Sequence, residues 1–253
     1  MLVEASDVEP GVRLLTLNRA PANAISADLL DALFEQCCIA REDRQVKAII
    51  VTGAGKFFSA GLDLKEATSG QSRLRNLGSG DTDGLFALWT LPKPTIAMVN
   101  GHAIAGGAII ALACDFRITA KGSHKLGLNE VAIGLPFPIG AFEIARLALD
   151  NRQLRWAMLQ AALHDTNRAL ELGFVEEVVE PDDLQKRCVS LARELGDVGR
   201  LAYAHTKAAM QSEAVARVRS ETKEQRAAQA AVVTDPETSA RLVAQVKSLT
   251  KSG

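Results

Sequence analysis

The chain has 253 residues, of which 47% are hydrophobic and 23% charged, and these are ordinary values for a folded globular protein. Wholesale disorder and fibrous repeats are therefore excluded. The 29 basic and 30 acidic side chains leave a net charge of −1, and only 4% of residues are aromatic. Neither charge nor base stacking favours nucleic acid or an anionic membrane as a partner, so the composition favours a protein that acts on a small molecule.

The first half of the chain predicts strands that alternate with helices. Strands are expected at Val12–Leu17, Lys47–Thr52, Pro94–Val99 and Phe116–Thr119, which are short runs rich in apolar and β-branched residues. Ser26 is a suitable N-cap for a helix whose apolar residues recur at helical spacing, namely Leu29, Leu30, Leu33, Phe34 and Cys37. A second helix is expected over Ala103–Ala113. This alternation predicts an α/β fold with a buried, parallel-type sheet.

The second half is predicted to be mainly helical. A polar segment from Lys65 to Gly84 reads as a long loop, and loops of this length are often functional. From Ile139 helical patterns continue almost to the end, interrupted by a strand-like Val178–Pro181, and a last helix is expected to begin at Thr234 with a capping box to Glu237. We therefore expect an α/β core over residues 1–195 and a helical region over 196–253.

The sequence also predicts a cytoplasmic protein. The four cysteines form no C-x-x-C pair, and the first residues lack the apolar run of a secretory signal, which favours a reducing compartment. Ile96–Cys114 carries no charge over a length that can span a membrane. Asn100–His102 interrupts this stretch, however, and a turn there would leave backbone groups without partners in lipid. A buried strand, a turn and a buried helix are expected instead.

Several familiar catalytic patterns are absent. Gly53–Lys56 lacks the outer glycine and the Ser/Thr of a phosphate-binding P-loop. Phe57–Gly61 has Phe where a nucleophile elbow needs its first glycine. The four histidines do not show the spacing of a metal site, so no metal ion is expected.

Two glycine-containing turns remain as candidates for chemistry. Ser59–Leu64 contains Gly61, and Asn100–Gly107 joins a strand to a helix. Glycines at such turns let a ligand approach backbone N–H groups closely, and a helix start favours a developing negative charge. Two turns of this kind predict an oxyanion site built from backbone donors.

These turns, together with Leu17–Arg19 and Cys114–Ile118, occur in the order and spacing of the crotonase (enoyl-CoA hydratase/isomerase) superfamily, which the chain resembles over nearly its whole length. The resemblance implies a spiral of ββα units and an oxyanion hole formed by the N–H groups of Leu62 and Gly106. It implies an acyl-CoA thioester as substrate, with coenzyme A as part of that substrate and no other cofactor. The implied substrate and CoA contacts are Ala22, Ala60, Gly61, Asp63, Leu64 and Asn129.

The catalytic acids discriminate between reactions within this superfamily. Hydratases carry two glutamates, the first of them three residues after the oxyanion glycine, where this chain has Ile109. The second position matches Glu130. The stretch Gly127–Glu130, with Ala20–Asn23 and Thr206–Met210, is most similar to Δ3,Δ2-enoyl-CoA isomerases. Small and apolar neighbours favour a buried Glu130 carboxylate with a raised pKa, which suits a general base near neutral pH.

Three hypotheses follow. The first is an isomerase in which Glu130 moves a proton from C2 to C4 of a 3-enoyl-CoA. The second is hydration, hydrolysis or decarboxylation of a CoA thioester, with Asp83 or Glu143 as a second polar group. The third is a member of the superfamily that binds RNA, which the neutral charge disfavours.

The resemblance also implies an assembly. Members of this superfamily form trimers, often stacked as hexamers, so a homotrimer or hexamer is expected. The helical region 196–253 would be its oligomerisation region, because it carries alanine-rich apolar faces, as at Ala227, Ala228, Ala230, Ala231 and Val232.

Overall fold

A computed structural model describes residues 1–67 and 83–251, with side chains described as far as 244. Most of the loop expected over Lys65–Gly84 lies outside the described residues. Two short helices flank that gap. The strands are β1 (Val3–Glu9), β2 (Val12–Leu17), β3 (Ala48–Gly53), β4 (Phe57–Ser59), β5 (Thr95–Val99), β6 (His102–Ile104), β7 (Phe116–Ala120), β8 (Leu126–Gly127) and β9 (Glu177–Val179).

The strands form two sheets. The larger sheet has the order β1-β2-β3-β5-β7-β9, and the smaller has the order β4-β6-β8. All pairs are parallel except β1 with β2, which pair antiparallel from Val3 opposite Leu17. Consecutive strands therefore alternate between the sheets: β3, β5 and β7 enter the large one, and β4, β6 and β8 the small one. This confirms the α/β class and the spiral of ββα units.

Helices follow these strand pairs and then fill the second half of the chain. They are α1 (Ala27–Glu42), α2 (Leu64–Ala67), α3 (Gly84–Trp89), α4 (Gly106–Leu112), α5 (Ile139–Ala148), α6 (Asn151–Leu159), α7 (Thr166–Glu171), α8 (Leu184–Gly196), α9 (Arg200–Arg219), α10 (Lys223–Thr234) and α11 (Pro236–Lys251). Ser26 caps α1 as predicted, because its Oγ accepts from the Leu29 N–H at 3.1 Å.

The large sheet is buried on both faces. Along β3, Ile49 and Val51 join the main core with α1, whereas Ala48 and Ile50 face the opposite side and pack with α8. Side chains of a strand alternate between its two faces, so a strand covered on both sides must be apolar throughout. This explains the unbroken apolar run that predicts β3.

The predicted start of the second helix is wrong. The helix expected from Ala103 begins at Gly106, and His102–Ile104 is the strand β6 between β4 and β8. Three residues that pair with strands distant in sequence give no local pattern of their own, and tertiary pairing decides their conformation. As a result the turn before α4 is placed against the turn after β4, and both belong to the site described below.

The C-terminal helices pack on the same chain. Helix α9 lies against α5, and α11 lies near α2 and the 3-10 turn at Val131–Ile133. Helix α10 begins with a capping box between Thr222 and Gln225. The cap of α11 is Asp235, whose Oδ2 accepts from the Glu237 and Thr238 N–H groups at 3.0 and 3.1 Å. The expected cap, Thr234, instead ends α10.

The predicted division between an α/β core and a helical C-terminal region, at residue 195, falls at the end of α8, and it stays a prediction.

Across the described ranges, no helix combines the length and the apolar character that crossing a membrane requires.

Candidate active site

A cavity of about 820 Å³ lies where the two glycine turns meet the C-terminal helices. Most of its wall comes from five parts of the chain: the loop before α1, the turn between β4 and α2, the turn between β6 and α4, the segment from Asn129 to Ala141, and helices α10 and α11. The wall is mainly apolar, with charged and polar side chains among the apolar ones. Such a cavity is typical of a small-molecule site.

The first turn places Leu62 in the wall of this cavity. Ile25 lies beside the turn and uses the groups on either side of Leu62: its N–H donates to the Gly61 carbonyl at 2.8 Å, and its carbonyl accepts from the Asp63 N–H at 2.9 Å. Gly61 has a φ of +87°, which glycine adopts without strain. In the described part of the chain, no backbone carbonyl accepts from the Leu62 N–H.

The second turn brings Gly106 against the first. Ala105 has a φ of +52°, an uncommon conformation for a residue other than glycine, and it turns the chain from β6 into α4. A β-carbon at Gly106 would stand 3.0 Å from Ile25 Cδ1 and 3.7 Å from the Leu62 nitrogen. A β-carbon here would therefore crowd Ile25 and stand in van der Waals contact with the Leu62 amide. The N–H of Gly106, like that of Leu62, donates to no backbone carbonyl of the described residues.

Glu130 lies in the wall of the same cavity and is only 7% exposed. Its Oε2 is buried and has no hydrogen-bond partner among the described residues. Burial raises the pKa of Glu130 to about 8, and a backbone hydrogen bond to its own N–H opposes that rise. A carboxylate with this pKa can take up and release a proton near neutral pH.

Ile109 and Asn129 also line the cavity. Ile109 is buried on α4 and presents hydrocarbon at the position of the first hydratase glutamate. Asn129 precedes Glu130, and its Oδ1 is buried without a hydrogen-bond partner in the described residues. The cavity wall therefore holds a hydrocarbon side chain at position 109 and an amide at the residue that precedes Glu130.

The other predicted substrate contacts lie around the first turn. Ala22, Ala60, Asp63 and Leu64 all line the cavity. The wall does not include Gly61, which shapes the turn instead. Asp63 is an ion-pair partner of Arg19 at 2.6 Å and also accepts from the Lys65 and Glu66 N–H groups at the start of α2. Its carboxylate thus fixes the turn that presents the Leu62 amide.

The two acids considered as second catalytic groups lie elsewhere. Asp83 caps α3 by accepting from the Leu85 and Phe86 N–H groups, and it is not among the residues that line the cavity. Glu143 is buried on α5, where it pairs with Arg146 and Arg217 at 2.7 and 3.0 Å. Each carboxylate has a structural task, so neither supplies a second polar group to this cavity.

Sequence reasoning missed part of the wall. His102 lines the cavity, stacks on Phe57 at 4.8 Å between ring centroids, and accepts from the Lys125 N–H at its Nδ1. Further wall residues come from the end of the chain, among them Arg226, Gln229, Val233 and Leu242. Arg19 and His102 lie within the segments that carry the family resemblance, whereas the C-terminal residues give no local signal, since only the tertiary fold brings them to the cavity.

In the described ranges, no three His, Cys, Asp or Glu side chains come together as metal ligands do. The expectation that no cofactor is needed stays a prediction.

The spiral fold, with Leu62, Gly106 and the buried Glu130 in the wall of one cavity, is that of a crotonase-type enzyme that acts on CoA thioesters. The chain matches the model of the enoyl-CoA hydratase/isomerase family over residues 7–249 and belongs to that family. A carnitinyl-CoA dehydratase from Salmonella enteritidis is 36% identical over 198 residues, which cover 76% of this chain and 74% of the relative.

Solved structures of family members agree with this assignment. An enoyl-CoA hydratase/isomerase family protein from Pseudomonas syringae has a TM-score of 0.81 at 32% identity, over 89% of this chain and 96% of that one. A probable enoyl-CoA hydratase from Mycobacterium tuberculosis H37Rv has a TM-score of 0.77 at 30% identity, over 87% and 92% of the two chains. A second structure of that mycobacterial protein, named there an enoyl-CoA isomerase, has a TM-score of 0.79 at 30% identity, over 91% and 98%.

Proposed function

We propose that this protein is an enoyl-CoA isomerase that moves a double bond from C3 to C2 of an acyl-CoA thioester. The observation that carries the proposal is a buried carboxylate with an oxygen that has no partner among the described residues, Glu130, in a cavity whose wall also holds Ile109 and the free amides of Leu62 and Gly106. Two other carboxylates line the cavity, but Asp63 pairs with Arg19 and Glu221 pairs with Arg226. Isomerisation needs one group that removes and returns a proton, and Glu130 is the carboxylate without an ion-pair partner that can do so.

The two amides hold the thioester carbonyl oxygen in this mechanism. When the C2 proton leaves, negative charge passes to that oxygen, and two fixed N–H donors stabilise it without reorganisation. Because the donors belong to the backbone, their aim depends on the positive φ at Gly61 and Ala105 rather than on side-chain rotamers. Removing one such donor typically costs about 10²–10³-fold in rate.

Glu130 acts as base and then as acid. Its carboxylate removes the proton from C2, which gives a dienolate, and the resulting carboxyl group returns a proton to C4. The C3–C4 double bond becomes a C2–C3 double bond conjugated with the thioester, and no atoms are gained or lost. A raised pKa strengthens Glu130 as a base in the first step, and the neutral carboxyl group is the stable form in the apolar wall.

Water addition or elimination is the second candidate, and the name of the Salmonella relative, a dehydratase, favours it. That reaction needs a second polar group to hold and activate water. Ile109 offers hydrocarbon at the expected position, and Asp83 and Glu143 are used elsewhere. We therefore place isomerisation first.

The proposal includes the predicted substrate contacts and assembly. Ala22, Ala60, Asp63, Leu64 and Asn129 would contact the CoA thioester, with Gly61 shaping the turn. The chain would act as a homotrimer or hexamer in the cytoplasm. The alanine-rich face of α10 is exposed, as at Ala227, Ala228 and Val232, so it is available to a second subunit. Light scattering that gives the 27.0 kDa of a single chain at micromolar concentration would contradict the assembly.

The direct test compares two substrates on one preparation. Formation of 2-trans-enoyl-CoA from 3-hexenoyl-CoA and hydration of crotonyl-CoA are followed by absorbance. We expect isomerisation to be at least about 10²-fold faster, because Ile109 cannot orient an attacking water. Hydration at or above the isomerisation rate would overturn the proposal in favour of the second candidate.

A further inference from the structure

A second cavity, of about 520 Å³, lies apart from the candidate active site. Its wall is formed by Trp89 at the end of α3, the segment from Leu112 to Arg117, the second half of α5 and the first half of α9. Among the described residues the two walls have no member in common, and α4 runs from Gly106 in the first wall to Leu112 in the second. Ligand pockets commonly measure about 300–1,000 Å³, so the second cavity has room for a small molecule.

Most of the wall of the second cavity is apolar. Its larger apolar side chains are Trp89, Leu112, Phe116, Ile144, Leu147 and Met210. Leu147 and Met210 are partly open to solvent, although both are large and hydrophobic. The hydrocarbon part of a ligand would gain by leaving water for such a wall.

Arg117 brings an unpaired hydrogen-bond donor to this wall. The residue is only 5% exposed, and its Nε is a buried atom without a hydrogen-bond partner among the described residues. Its Nη1 donates to the Cys114 carbonyl at 2.9 Å, and its Nη2 donates to Glu176. Ile118 packs with α8, so the alternation of β7 turns Arg117 to the opposite side of the sheet, where Ile144 of the wall packs. The Nε–H is therefore the donor that Arg117 can offer to a ligand.

The charges of the wall favour an anion as the acceptor. Burial lowers the pKa of Arg117 to about 10, which is still above neutrality, so the guanidinium is cationic near pH 7. Lys207 is a second cation of the wall. Asp115, the one carboxylate among the described wall residues, already accepts from Lys207, from the Tyr203 hydroxyl and from the Thr95 N–H, each at 2.9 Å. A hydrogen bond between a cation and an anion is roughly twice as strong as one between neutral groups.

We propose that the second cavity binds a small carboxylic acid with an apolar chain, whose carboxylate accepts the Nε–H of Arg117 and whose chain lies against the apolar wall. This inference goes beyond the proposed isomerase activity and does not depend on it. The two sites differ in what they recognise, since the second cavity takes a free carboxylate where the active site takes a thioester.

The experiment titrates octanoate into the full-length protein at pH 7 by isothermal titration calorimetry. The titration is run alone and with saturating butyryl-CoA, which is directed to the active-site cavity. We expect one equivalent of octanoate per chain to bind in the presence of butyryl-CoA. Octan-1-ol has the same chain without the charge, and we expect it to bind at least about tenfold more weakly.

Leu147→Glu and Phe142→Glu are a matched pair of variants on α5. The two side chains are 38% and 37% exposed, and of the two only Leu147 lines the second cavity. A carboxylate at position 147 repels the carboxylate of the ligand, so Leu147→Glu should weaken octanoate binding by at least about tenfold, whereas Phe142→Glu should leave it unchanged.

A second pair of variants on α9 tests the volume of the cavity. Ala202 lines the second cavity, so Ala202→Trp fills it and should abolish octanoate binding. Ala208 is exposed on the same helix and lies outside the wall, so Ala208→Trp should bind octanoate like the wild type.

The outcomes separate this site from the active site. Loss of octanoate binding when butyryl-CoA is present overturns the proposal, as does an affinity for octan-1-ol equal to that for octanoate. Equal binding by Leu147→Glu and Phe142→Glu overturns it as well. If butyryl-CoA itself does not bind, the proposed function is in question, and the two pairs of variants still decide whether octanoate occupies the second cavity. The comparison of octanoate with octan-1-ol on the wild type decides even where a variant fails to fold.

Discussion

The amide nitrogen of Leu62 lies 3.7 Å from the point where a β-carbon at Gly106 would stand. The two residues are far apart in sequence, and β4 and β6, which pair in the small sheet, bring their turns together. Ile25 closes the same space with its Cδ1 at 3.0 Å from that point. A side chain at 106 would therefore press on Ile25 and occupy space next to the Leu62 amide.

Gly106→Ala should lower isomerisation by at least about 10²-fold, because the added methyl group enters the space through which a thioester oxygen approaches both donors. Steady-state kinetics on 3-hexenoyl-CoA measures the loss. Gly199→Ala is the control, since its β-carbon would meet nothing nearer than Ala202 Cβ at 3.7 Å. Near wild-type turnover in a folded Gly106→Ala protein would contradict the assigned oxyanion hole.

The rate of isomerisation should rise with pH. Burial raises the pKa of Glu130 to about 8, and the first step needs its ionised form. We expect kcat/KM to increase about tenfold per pH unit below pH 7 and to level off above about pH 8. A profile that is flat from pH 5 to 9 would show that Glu130 does not act as the base.

The same group should weaken the fold at high pH. The folded protein holds a proton on Glu130 up to about pH 8, whereas the unfolded chain releases it near 4.5, so this group's contribution to stability falls between those values. The penalty reaches roughly 5 kcal/mol at most. Glu130→Gln avoids it, and its advantage in thermal unfolding over the wild type should grow from pH 5 to pH 9. If the unfolding temperatures of the variant and the wild type changed with pH in parallel, Glu130 would not be a buried carboxylate without a partner.

Lys207 and Asp115 connect α9 to the start of β7 through an ion pair at 2.9 Å, with their side chains only 7% and 16% exposed. Lys207→Met leaves the Asp115 carboxylate without its cation, and we expect a loss of about 3 kcal/mol in urea unfolding. Lys121→Met is the matched control, because Lys121 and Glu180 are both 67% exposed and such pairs contribute about 0–1 kcal/mol. Equal losses of stability in Lys207→Met and Lys121→Met would contradict the larger contribution expected of the buried ion pair.

The sequence predicted those parts of the molecule whose pattern is local. Ser26 caps α1 because a capping side chain acts within three residues, and β3 is predictable because both of its faces are covered. The strand β6 was missed, since its conformation depends on β4 and β8. Asp235 replaced Thr234 as a cap because α10 continues to Thr234.

The candidate site likewise contains residues that a local sequence pattern predicts and residues that depend on the tertiary fold. The Gly61 and Gly106 turns are visible in the sequence, because glycine marks backbone that must be approached closely. The resemblance identified Glu130, and burial of its carboxylate followed from its apolar neighbours. The orphaned oxygen of Asn129 and the wall residue Leu242 depend on packing between distant segments, which no local pattern encodes.

The measurement that tests the central claim most directly is the isomerisation rate of Glu130→Gln on 3-hexenoyl-CoA, beside its affinity for a saturated acyl-CoA. Gln keeps the volume of Glu130 and removes the base, so turnover should fall by about 10²–10⁴-fold while binding is retained. Near wild-type turnover in the folded variant would contradict Glu130 as the group that moves the proton.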